Sequence, residues 1–113
     1  MTIDQMDVVD AIARDPDNDE VILFIFDHLP WTSNDQEHFN HLDLLQQKIY
    51  RYLDFIESGE MNERYPKAIG RNVRFQIRGK YEMDEDAAAL FKKLQDYVSE
   101  QGCRLEFRYS PRE

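Results

Sequence analysis

The sequence predicts an α+β fold, a two-layer sandwich in which a four-stranded mixed sheet carries two helices on one face. Three observations predict it. Apolar residues alternate with a period of two in segments in the middle and near the end of the chain, and a short run apolar on both faces lies nearer its start. Between those segments the period lengthens to that of a helix, twice, and each helical stretch opens on capping residues and closes on a glycine. The first two strands are separated only by a turn cluster. The later ones have helix-length connections, which suit right-handed crossovers between parallel strands. The predicted order is strand, strand, helix, strand, helix, strand, in one domain over residues 1–113.

"VVDAIARD", then "DPDNDE", then "VILFIFDHL" read as strand, turn and strand. Asp, Pro and Asn supply the turn chemistry, and the short spacing predicts an antiparallel hairpin. Val21 to Phe26 are apolar on both faces, so the second strand should be central and covered on both sides.

In "DHLPWTSNDQEH" the period changes. Ser33 with Gln36 forms a capping box, and Asn34 and Asp35 suit the positive end of a helix. Phe39, Leu42, Leu45, Ile49, Tyr52, Leu53 and Ile56 then recur at helical spacing up to Gly59, predicting a helix over about 34–58. At about 1.5 Å per residue it would run roughly 37 Å, against about 20–23 Å for a six- or seven-residue strand, and should overhang its sheet. "EMNERYPKAIGR" reads as an irregular connection.

"NVRFQIRGKYEM" is the clearest strand. It turns Val73, Phe75, Ile77 and Tyr81 one way and Arg74, Gln76, Arg78 and Lys80 the other, and Gly79 suggests a bulge or a close backbone approach. Asp84 caps a second helix with Ala87, Leu90, Phe91, Leu94, Tyr97 and Val98 on one stripe, ended by Gly102. "RLEFRY" turns Leu105, Phe107 and Tyr109 inward and Arg104, Glu106 and Arg108 outward.

Net charge is −9, but residues 1–60 hold 14 acids and 3 bases while residues 61–113 hold 9 acids and 11 bases. An overall acidic field argues against general nucleic-acid binding, which relies on cations neutralising phosphate. No apolar run approaches the ~20 residues needed to span a bilayer. The start "MTIDQMDVVD" is unlike a signal peptide, and Cys103 is the only cysteine. These features predict a soluble, cytoplasmic protein. Cys103 reads as a small apolar residue entering a strand.

"DHLPW", "HLDLLQQKIYRYLDFIESGE" and "YPKAIGR" together resemble a family of small bacterial proteins of unknown function. In that family a DHL-x-W strand end precedes a helix of the form HL-x-LLQ-x-K-x-x-x-YL-x-FIESGE. The resemblance covers about residues 7–81 and implies that His28, Trp31, His41, Glu57, Ser58, Gly59, Tyr65, Pro66 and Gly70 fall on recurring positions. Pro30 and the longer approach "TSNDQEHFN" depart from the pattern, and the resemblance carries no activity.

His28, His38 and His41 are the only histidines, and the i, i+3 pair at the helix start could share a metal beside Trp31 with Asp27 or Asp35. No HExxH or cysteine partner accompanies them, so we expect capping and packing instead, and no bound metal or cofactor. "DHLPWTS" gathers Asp, His and Ser, but Ser33 is explained as a cap and a triad depends on geometry. Phosphate loop, dinucleotide fingerprint and cysteine motif are all absent. Glu57 and Glu60 sit at a negative helix end and need Arg64, Lys67 or Arg71 as partners, or a second chain. Arg74, Arg78, Lys80, Arg104 and Arg108 would share one sheet face. That face is either a solvated one softened by Gln76 and Glu106 or a docking face for an acidic partner.

The expectation is therefore a non-enzymatic interaction protein that self-associates as a homodimer. His28, Trp31, His41, Glu57, Glu60, Tyr65, Arg74, Arg78 and Arg108 are its candidate interaction or pocket residues. Leu44, Tyr50 and Phe55 lie off the main helical stripe and would pair the long helix with that of a second copy. The alternatives are an enzyme or metal-binding protein built on His28, His38 and His41, and a nucleic-acid binder built on the basic strands.

Overall fold

The computed structural model describes residues 3–6 and 9–111, so Val8, at the start of the expected first strand, lies outside them. Strand β1 (Ala11–Asp15) runs antiparallel to β2 (Glu20–Asp27), and β3 (Asn72–Gly79) and β4 (Arg104–Tyr109) follow in parallel to give the order β1-β2-β3-β4. Helices α1 (Asp35–Glu57), α2 (Glu60–Arg64) and α3 (Glu85–Glu100) complete the chain, with a 3-10 turn at Pro66–Ala68. The α+β sandwich is as the sequence predicts.

All three helices bury their apolar residues in one cluster. Leu45, Ile49, Tyr52, Met61, Leu94 and Val98 pack there with Val21, Leu23, Ile25, Val73, Phe75, Ile77 and Leu105 from the strands. The strand residues in that cluster are the odd-numbered set, so the even-numbered set faces away from the helices. β2 is central, as expected, but among the described residues no helix layer covers its second face. Ile22, Gln76 and Glu20 are nevertheless buried there, beneath the long side chains of neighbouring strands.

Several local expectations need correcting. Asn34, not Ser33, caps α1, because its carboxamide oxygen accepts the Glu37 N–H at 3.0 Å. Residues 60–68 are ordered into α2 and the 3-10 turn, and Gly59 permits the break through its positive φ of 84°. Phe39, at 66% exposure, lies off the core although it fits the helical period. Tyr81 and Tyr109 were expected inward but are exposed, since β3 ends at Gly79 and β4 ends at Tyr109, beyond the helix layer's cover. Gly79 forms no bulge, since it pairs in register with Asp27 and Tyr109. It is instead a site of close approach, where an added Cβ would lie 2.6 Å from the Phe107 ring.

The overhang of α1 is taken up within the chain. Its 23 residues span about 34 Å, and β2 and β3, at eight residues each, span about 27 Å. Phe55 near its end is buried in the cluster that also holds Met61 and Ala68, Leu44 packs partly against the core, and Tyr50 meets the edge of Tyr97 on α3.

The least expected feature is a buried ion pair. Lys48 Nζ lies 2.9 Å from Asp10 Oδ1, with both side chains wholly inaccessible. Asp10 Oδ2 accepts the Phe26 N–H at 2.9 Å. The Asp10 N–H donates to the Tyr52 hydroxyl at 2.9 Å, and that hydroxyl donates to the Phe24 carbonyl. Lys48 also donates to the Gln5 carbonyl, and the Ile3 N–H donates to Phe26 O at 2.9 Å. Removing one member of such a pair strands a charge, at a cost of about 3–5 kcal/mol, whereas removing both with apolar replacements can be close to neutral. Lys48→Met should therefore lower urea-measured stability by about that amount, and Asp10→Leu/Lys48→Met should recover most of it. Equal losses in the single and double variants would show that the ion pair does not govern this region.

Candidate functional site

Two groups of chemistry-bearing residues stand out, one at the carboxyl end of β2 and one across the uncovered sheet face. At the first, Asp27 closes β2 and its Oδ2 lies 2.6 Å from His41 Nε2, with both side chains almost fully buried. The Leu29 N–H donates to the other carboxylate oxygen at 3.1 Å. Trp31 stacks on the His41 ring at 3.5 Å between centroids and 12° between planes, and meets the edge of His38 at 5.8 Å. His38 Nε2 lies 2.7 Å from Asp84 Oδ2, the residue that caps α3 through the Ala87 N–H. His41 Nδ1 is buried without a hydrogen-bond partner.

The histidines therefore diverge. His38 and His41 each engage a different carboxylate, His28 is exposed, and Asp35 belongs to the first turn of α1. Among the described residues no group of three His, Cys, Asp or Glu side chains is arranged to hold a metal ion. Chemically the arrangement works as a double clasp: Asp27–His41 fixes α1 to the end of β2, and His38–Asp84 fixes it to the start of α3. For Asp84, desolvation pushes the carboxyl up, but the Ala87 N–H, the His38 imidazole and the Asp86 N–H together hold it below the ordinary carboxylate range.

On the uncovered face the register sets Ile22, Arg74 and Arg104 in one row, Phe24, Gln76 and Glu106 in the next, and Phe26, Arg78 and Arg108 in the third. The first row is neutralised internally: Arg74 lies 3.3 Å from Asp15 and 3.4 Å from Glu106, and Arg104 pairs with the buried Glu20. Hydrogen bonds from Asn18 lead the effects that keep the Asp15 carboxyl below its usual range, and Arg74 adds to them. Phe24 and Phe26 stack at 5.9 Å, the Arg78 guanidinium lies 4.8 Å over the Phe24 ring, and its Nε donates to Gln76 at 2.7 Å. Arg108 is exposed beside them.

The remaining predicted residues do not join either group. Glu57 is exposed at the end of α1. Glu60 opens α2, where an acid is favourable, and pairs with Arg64 at 3.1 Å, while Arg71 pairs with Asp19 instead. Tyr65 is exposed, near the β1 edge, lining a shallow cleft with Ile12 and Ala68. Cys103 is buried, and burial followed by the Glu57 charge pushes its thiol up, as suits a small apolar residue.

Sequence reasoning missed Asp10 and Lys48 and the partners of His38 and His41. Lys48 carried a readable signal, since it lies between Leu45 and Tyr52 on the apolar stripe of α1. The partners carried none, because Asp27 and Asp84 meet the histidines only through the fold.

A family model described as "Family of unknown function (DUF6572)" matches residues 1–111, and the chain belongs to that family. No curated protein matches. No solved structure matches.

Two outcomes follow from the clasps. His41→Ala leaves Asp27 buried without its imidazole and should lower stability by about 3–5 kcal/mol in denaturant titration. A loss below about 1 kcal/mol would mean that the pair does not fasten α1. Because the folded-state pKa of Asp84 is depressed, its contribution is full above the ordinary carboxylate pKa and is lost as pH falls through the folded value. Asp84→Asn keeps a capping acceptor but not the titration, so the variant's urea midpoint should fall less steeply than wild type below about pH 4. Parallel acid limbs would refute that assignment.

Proposed function

We propose, for this member of a family of unknown function, a non-enzymatic interaction domain that docks an acidic protein surface on the uncovered face of its sheet. The observation that carries the reading is the third row of that face. There Phe26, stacked on Phe24 of the second row, the guanidinium of Arg78 and the exposed Arg108 combine apolar area with positive charge on a chain of net charge −9. A helix layer covers only the opposite side of the sheet among the described residues. Aromatic and arginine side chains are the types enriched at protein interfaces, and arginine matches carboxylates bidentately. The histidine groups support this reading indirectly, since each is occupied in fastening α1.

A cytosolic setting fits, because the lone cysteine is buried as a thiol. No helix among the described residues is long and apolar enough to cross a membrane.

The test is a fluorescence-anisotropy titration with a labelled peptide of two phenylalanines among glutamates, at low and at moderate salt. Binding should weaken with salt and fall by about tenfold or more in Arg78→Glu/Arg108→Glu. Absence of peptide binding, or binding indifferent to that charge reversal, would sink the reading. Tighter binding of an oligothymidylate than of the peptide would overturn it in favour of a single-strand nucleic-acid binder, because stacked aromatics and arginines also serve that role.

A further inference from the structure

We infer that the outer edge of β1 is a further docking surface, which takes an extended acidic segment of another protein as an added strand. Phe26 turns its N–H to Asp10 on the β1 side of β2. By the same alternation Glu20, Ile22 and Phe24 form the hydrogen-bonded pairs with Asp15, Ala13 and Ala11. Ile12 and Arg14 lie between those pairs, so their backbone N–H and C=O groups point away from the sheet. Among the described residues no other segment bonds them. The opposite edge differs, because on β4 the Gln95 side chain donates to the Leu105 carbonyl at 3.0 Å. Unpaired strand groups of this kind are a template for one more strand.

The space beside that edge sets the chemistry of the segment. Ile12 stands opposite Leu23 and Arg14 opposite Val21, so both side chains lie on the helix-covered face. There Ile12, Val21, Tyr65 and Ala68 line an apolar cleft of about 270 Å³, whose charged residues are the exposed Arg14 and Lys67. Sites that enclose whole small molecules run to ~300–1,000 Å³, and a smaller cleft along an edge suits a side chain or two of an added strand. Arg14 lies 3.6 Å from Asp19, an exposed pair of little strength, and Arg71 shares the same carboxylate. Arg14 therefore keeps capacity for a second carboxylate. Side chains on one face of a strand recur every second residue, so the fitting segment carries an apolar residue with acids two positions to either side. A second copy fits poorly, because pairing β1 with itself about a two-fold axis would set the Arg14 and Lys67 cations of both chains side by side.

A labelled peptide with glutamate, leucine and glutamate on one strand face and threonines on the other, titrated with the full chain, tests the inference. Binding should slow amide exchange at Ile12 and Arg14. It should weaken by about tenfold or more in Arg14→Glu/Lys67→Glu, exposed positions at which circular dichroism should be unchanged. N-methylation of one alternate set of peptide amides should abolish binding, and of the other set should leave it, since only one set faces β1 in an added strand. Absence of binding overturns the inference. So does binding that is indifferent to the charge reversal, that leaves exchange at Ile12 and Arg14 unchanged, or that is lost equally with both methylated sets. Exchange at those two amides that slows as the protein alone is concentrated would make a second copy the occupant, and overturns the acidic segment. The sheet-face titration uses other residues, so the two docking readings stand or fall separately.

Discussion

The structure depends on the point where β1 leaves β2. The ladder pairs Ala11 with Phe24, and an ordinary strand would next set Val9 beside Phe26. Instead the Asp10 carboxylate takes the Phe26 N–H, the Ile3 N–H reaches Phe26 O, and the Tyr52 hydroxyl donates to Phe24 O. Side chains and the opening segment thus complete the hydrogen bonding of a central strand, as its buried polar backbone requires. Burial, opposed by the bond from the Asp10 N–H, pushes the Tyr52 phenol up, which keeps it protonated as the donor. A carboxylate at that depth needs a counter-charge, and Lys48 provides it one helical turn before Tyr52. The edge of the sheet, the opening segment and α1 are therefore fastened by one network.

The clasps at the other end of α1 complete its placement. Asp27 ends β2 and Asp84 begins α3, and both reach imidazoles in the first two turns of α1. Trp31 covers the His41 ring and folds the connecting loop back against the helix. With α1 held to the sheet by Lys48 and Tyr52 and to its end by His38 and His41, its register over the strands leaves little freedom. That arrangement commits both long helices to the same side, and the second face of the sheet must satisfy itself with the long side chains of its own strands.

Much of this was legible in the sequence, because period and capping act locally. The bounds of α1 and α3, the Asp84 cap and the alternation in β3 follow from neighbours within a turn or two. What the sequence hid were meetings between distant residues. Lys48 stands on the apolar stripe of α1, but its counter-charge Asp10, 38 positions earlier, is brought beside it only by the fold. His38 and His41 read as a possible shared site, because helical spacing puts them near each other but says nothing of the two carboxylates that draw them apart. Phe39 misled in the opposite direction: it flanks the apolar stripe, but the buried face of α1 centres on His41, Leu45, Lys48 and Tyr52, which turns Phe39 outward. The helix length did imply an overhang, but Met61 and Ala68, in a segment without strong periodicity, share the core with the far end.

Charge and topology converge on the same end of the molecule. The acids near the start of β2 and on its hairpin lie close to the first arginine row and pair with it. The path of the chain carries β2 through a short loop into α1 at the opposite end, bringing an acidic helix start with an exposed phenyl ring near the level of the third row, on the other layer. Neither surface can reach the other within one chain, because the sheet lies between them. Folding therefore leaves the acidic helix start and the arginine-bearing ends of β3 and β4 on opposite faces of one end of the molecule.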